Sequence, residues 1–151
     1  MTVAEKLGVF ASTVESAALP EKVRSTIGNL LLDVAGLCVA ARNNDYVSAA
    51  RASAIQNGFA SALGHEGRFG PYDAALINGT AAHGEDYDDT FEGGPVHAGA
   101  VIVPAVLAIA EHRGLNGDAV VRGIAVGVEL MCRMSLVTPQ AIHKACFHPT
   151  A

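Results

Sequence analysis

The sequence is poor in charge, in aromatic rings and in cysteine, and each shortage excludes a class of protein. Of 151 residues only 17% are charged and 5% aromatic, while half are apolar. That composition suits close-packed helices rather than a β-sandwich or a disordered chain. The formal net charge is −5 and no basic cluster occurs, so nucleic acid and anionic membrane surfaces find no cationic footprint. The three cysteines, Cys38, Cys132 and Cys146, are odd in number and widely spaced. They suit reduced thiols of a cytoplasmic protein, not a disulfide framework.

Targeting signals are missing too. The N-terminus MTVAEKLGVF has no positive segment followed by a sustained apolar one, so no signal peptide is expected. The longest apolar stretches, Leu30 to Ala41 and Val101 to Ala110, are interrupted by Asp33 and Pro104. They fall short of a membrane span and read as buried core helices. Repeats, low-complexity tracts and linkers are absent, and the length suits one domain, 1–151.

What is present is helical periodicity. Val3, Leu7, Phe10 and Val14 mark a first helix, and Leu19-Pro20-Glu21 opens a second with Pro at or near its first position. Val23, Ile27, Leu30, Val34, Leu37 and Ala41 form the apolar stripe of that second helix. A weaker third covers Tyr46 to Gln56, residues 64 to 73 form a loop, and a fourth runs from Asp73 to about Gly84. Gly99 to Arg113 is apolar nearly all round until Glu111, as in a helix buried on every side, with Pro104 in its first turn or kinking it. Asn116 opens a last long helix, on which Glu129 and Arg133 pair across one turn. The reading is all-α and bundle-like, with six helices.

Between the fourth and fifth helices lies HGEDYDDTFEGGPVHAG, residues 83 to 99, with five carboxylates, a histidine near each end and no Lys or Arg. A calcium loop beginning at Asp86 fails, because Phe91 stands where Gly is needed and His97 where Glu is needed. His83-Gly-Glu85 matches the H-x-E of zinc deaminases, but the Pro-Cys-x-x-Cys that completes such a site is missing, and so is a helical H-E-x-x-H. No metal is expected.

Two readings remain. In one, Asp86, Asp88, Asp89 and Glu92 occupy an exposed loop and cap helix ends. In the other, acids and histidines at a core edge, with no Lys or Arg from Arg68 to Arg113 between them, are set for acid–base chemistry. His97 precedes the helix near Gly99, whose first amides would favour an anionic ligand beside the imidazole. On local spacing alone His148, in Phe-His-Pro, reads as structural, and His65, His112 and His143 as loop or surface residues.

NGTAAHGEDYDDTF (Asn78 to Phe91) followed by VHAGAVIVPAVLAIAE (Val96 to Glu111) closely resembles the MmgE/PrpD family, which includes 2-methylcitrate dehydratases, cis-aconitate decarboxylases and related epimerases. Leu19 to Ala41, the run ending at Arg133 and the terminal FHPTA agree in order. The resemblance implies a large helical domain, of which this chain is the N-terminal part, with the rest of it and a smaller α/β lid domain outside the chain.

It further implies that Asp86, His97 and His148 are catalytic, that Thr90 contacts substrate, and that no cofactor or iron cluster takes part. Ala98 departs from the usual proline after the histidine, and Phe91 from the usual Trp or His after the threonine. The substrate implied is a di- or tricarboxylate, and such an anion needs several cations. This chain offers Arg122, Arg133 and Lys144 near its end and none in the acidic stretch. The expected partners are therefore a second copy, as in a dimer, or a complementing C-terminal chain, with this chain as a truncated or split member. An inert helical remnant that only self-associates is the competing expectation.

Overall fold

The computed structural model describes residues 1–138, 141–145 and 150, with only the backbone at 142 and 143. Among the described residues seven α-helices follow in order: α1 (Val3–Thr13), α2 (Glu21–Ala41), α3 (Asp45–Ser53), α4 (Pro71–His83), α5 (Ala98–Arg113), α6 (Gly117–Ser135) and the single turn α7 (Ala141–Lys144). A 3₁₀ turn spans Ser16–Ala18. Among the described residues no strand forms, and the extended pairing is limited to two isolated bridges, Ala60 with Phe69 and Phe91 with Val96. The all-α expectation holds.

Local chemistry sets the helix ends. Thr2 and Glu5 make a capping box, Thr2 Oγ1 accepting from the Glu5 amide and Glu5 Oε2 from the Thr2 amide. Pro20 is the residue before α2, while Pro71 takes the first position of α4. Gly114 closes α5 in the left-handed conformation, and Asn116 Oδ1 accepts from the Ala119 amide to open α6. Arg133 pairs with Glu129 as its spacing predicts.

α4 is the hub. It packs against α2, α3 and α5, and α5 in turn packs against α6. Ile27, Val34 and Cys38 of α2, Val47 of α3, Ile77 of α4, Val103 of α5 and Ile124 of α6 share one core with Phe69 from the loop before α4. The Cys38 thiol lies inside it and donates to the Asn78 carbonyl, and burial pushes it up to about 11. Such a thiol stays protonated and unreactive.

Three details bear on the expectations. Of the two places expected for Pro104, the first turn of α5 is not the one: the proline is the seventh residue, inside the helix. Lacking an N–H, it gives the Ala100 carbonyl no partner, and there α4 comes closest: a Cβ on Gly79 would lie 3.3 Å from that oxygen. Small residues thus let the two helices meet backbone to backbone. Second, α5 is not buried on every side, since Val101 and Ile109 are exposed. Third, α2 buries one stripe and exposes Leu32 and Val39. By length and composition α2 is apolar enough to cross a membrane, contrary to the expectation, and 17% of its most apolar window is buried. α1 has the predicted periodicity but buries no residue among those described.

Candidate active site

Gly79 and His83 are four residues apart on α4 and therefore share the face that meets α5. The helices run antiparallel, so the last residue of α4, His83, reaches the residue before α5, His97. Their ring centroids are 4.8 Å apart at 54°. The acidic loop between them must fold back over this junction. It does so at Asp86, which adopts a left-handed backbone with φ 57°, uncommon for a residue other than Gly and best tolerated by Asn and Asp. The Phe91–Val96 bridge closes the far end of the loop.

Folding back separates the carboxylates by environment. Asp88 is turned inward and its side chain has no solvent exposure, whereas the side chain of Asp86 is 72% exposed. Nδ1 of His83 hydrogen-bonds both Asp88 oxygens, at 3.2 and 3.1 Å. Nδ1 of His97 lies 3.3 Å from Asp88 Oδ1, and Nε2 of His97 lies 3.5 Å from Asp86 Oδ1. The buried ring of His97 therefore stands between an enclosed carboxylate and an open one.

Asp89 turns the other way, its Oδ1 accepting from the Gly99 amide at 2.8 Å. A Cβ at Gly99 would lie 2.2 Å from that oxygen, so a larger residue there would displace the Asp89 carboxylate. This amide was expected to favour an anionic ligand; the chain's own carboxylate takes it. Burial pushes the Asp89 carboxyl up, the Gly99 N–H opposes this, and the neighbouring Asp88 and Asp33 carboxylates add to the rise.

Of the residues the resemblance singles out, the structure brings Asp86 and His97 within 3.5 Å of each other. Thr90 is exposed and contributes no atom to the hydrogen bonds and ion pairs just described. His148 lies outside the described residues. The sequence reading missed His83 and Asp88, placing the latter in an exposed loop; the Gly79–His83 spacing is the signal that carries both. It also missed Thr150, whose Oγ1 accepts from the His97 amide at 3.0 Å. Thr150, His83, Gly79 and Tyr46 border an open groove of about 480 Å³ with largely apolar walls. At its edge Tyr46 donates to Glu85 at 2.7 Å, and Asn44 donates to both.

His83, Asp86, Asp88 and His97 each offer an atom that could hold a metal ion, all within 4.8 Å of one another. Asp86 and Asp88, however, address opposite nitrogens of His97, and a single ion takes only one nitrogen of an imidazole. The observed contacts are hydrogen bonds between His83 and Asp88 and His–Asp ion-pair distances at His97. This arrangement can hold a proton between Asp86 and His97, at a position open to solvent.

Comparison with known proteins agrees with the resemblance. A cis-aconitate decarboxylase-like protein of Aspergillus oryzae is 37% identical over 54 residues, which are 36% of this chain and 11% of that protein's length. The sequence model of the MmgE/PrpD N-terminal domain matches residues 5–151. With the match covering nearly the whole chain, and with an all-α fold that sets Asp86 against His97, this protein belongs to the MmgE/PrpD family.

Proposed function

We propose that the chain supplies one wall of the active site of a metal-independent lyase of the 2-methylcitrate dehydratase kind, acting on a di- or tricarboxylate. The observation that carries this is the placement of His97 between buried Asp88 and exposed Asp86. In an elimination, a base removes a carbon-bound proton and that electron pair becomes the new double bond. The carbon–oxygen bond breaks, and the hydroxyl leaves as water with a proton from an acid. His97 Nε2 and Asp86 Oδ1 share the proton needed, and whichever member holds it acts as the acid. His148 and Thr90 join them by the family resemblance. Decarboxylation of the same substrate class is a second reading, favoured by the Aspergillus oryzae relative; there the acid protonates carbon after carbon dioxide departs.

The substrate's negative charge supplies the other half of the reading. No Lys or Arg lies between Arg68 and Arg113, and among the described residues the cluster's ion pairs are all His–Asp. Cations that stabilise the developing enediolate come from elsewhere, either a second copy or a complementing C-terminal chain. The test assays the chain alone and coexpressed with an MmgE/PrpD C-terminal segment, using methylcitrate and cis-aconitate. Turnover in one pairing, lost on Asp86→Asn, supports the reading. No turnover and no complex in any pairing would sink it.

A further inference from the structure

Asp88 sits in a glycine-rich loop among exposed acids, yet its side chain is fully enclosed. An enclosed carboxylate with no Lys or Arg beside it is costly unless its oxygens accept hydrogen bonds. Both accept from Nδ1 of His83, and Oδ1 also lies 3.3 Å from Nδ1 of His97. With Asp88 as an ionised carboxylate, which only accepts, the proton in the His83 bond is on Nδ1, and a neutral His83 ring carries its lone pair on Nε2. The Nδ1 edge of His97 stands at ion-pair distance from Oδ1 of Asp88, 3.3 Å, on the buried side of the ring. With that edge there, Nε2 faces Asp86, and the His83 ring, 4.8 Å away, closes off other tilts.

We propose that Asp88 is the positioning residue of this site, holding His83 in the Nδ1–H tautomer and setting the ring of His97 so that Nε2 addresses Asp86. Enclosed as it is, Asp88 touches no substrate and acts through the two imidazoles. The inference deepens the proposed lyase function, which gives the His97 orientation its purpose, but its test needs no turnover.

The experiment is two-bond proton–nitrogen correlation of the imidazoles in the ¹⁵N-labelled chain, with signals assigned through His83→Gln and His97→Gln. In the unsubstituted chain His83 shows the Nδ1–H pattern. Asp88→Ala removes both acceptor oxygens, so neither Nδ1 keeps its carboxylate partner. At least one shifts toward Nε2–H, while amide signals away from the loop stay in place. A wild-type His83 protonated at Nε2 overturns the proposal without any variant, and so does a folded Asp88→Ala chain with both ring patterns unchanged. Either result is independent of activity, so a failed lyase assay and a failed positioning role are told apart.

Discussion

Two glycine-containing loops, 54–70 before α4 and 84–97 after it, use the same backbone device and reach opposite ends. Each closes on one isolated bridge, Ala60 with Phe69 and Phe91 with Val96. In the first, Glu111 of α5 accepts from the amide and hydroxyl of Ser61, and Arg68 pairs with both Glu111 and Ser61. Buried Asn78 accepts from the Leu63 amide at 2.7 Å and donates to the Ser61 carbonyl at 2.9 Å. Acid there is answered by a permanent cation. In the second loop Asp86 and Asp88 are answered by histidines, whose charge depends on the proton itself. The first arrangement fixes a loop; the second, on the function proposed, also leaves a proton to transfer.

The largest expected effect tests that division. In whichever pairing of the proposed lyase turns substrate over, Asp86→Asn or His97→Gln lowers kcat by about 10²–10⁴-fold, the range lost with a general acid or base. Arg68→Gln leaves kcat unchanged. Steady-state kinetics on the three variants check this, and an equal loss in Arg68→Gln removes the contrast between the loops.

Stability moves the other way. Asn78→Ala strands the Leu63 amide and the Ser61 carbonyl, and we expect a loss of about 2–4 kcal/mol in urea unfolding. Arg68→Gln breaks an ion pair whose side chains are 60% and 41% exposed. Screening there reduces the expected loss to below about 1 kcal/mol, and added salt reduces it further.

Helix positions were legible because apolar spacing states them directly: the stripe from Val23 to Ala41 gives α2, and Asn116 opens α6. Which faces are covered was not, since Val101 and Leu32 are as apolar as their buried neighbours and periodicity does not say what packs where. At the site, Asp86 and His97 followed from motif order. Asp88 did not, because whether a loop acid turns in or out depends on the left-handed turn at Asp86 and on the α4–α5 approach at Gly79. Those are tertiary facts, visible in sequence only as a glycine four residues before a histidine.

The smallest effect sharpens the comparison within the second loop, where Asp89 is held by an amide rather than by an imidazole. Its folded carboxyl is raised chiefly by burial, so in the window between the unfolded value, about 3.9, and the folded one, the native state binds more protons than the unfolded state. Stability from this group is therefore highest below the unfolded value and falls as pH rises through the folded one. Asp89→Asn keeps an acceptor for Gly99 and removes the titration. Urea midpoints measured from about pH 3.5 to 7 should show the variant gaining on the wild type as pH rises, with the gain levelling off once Asp89 is fully ionised. A difference that does not vary with pH means that the Gly99 amide fully offsets the burial, and that Asp89 is as settled in its place as Glu111 is in the other loop.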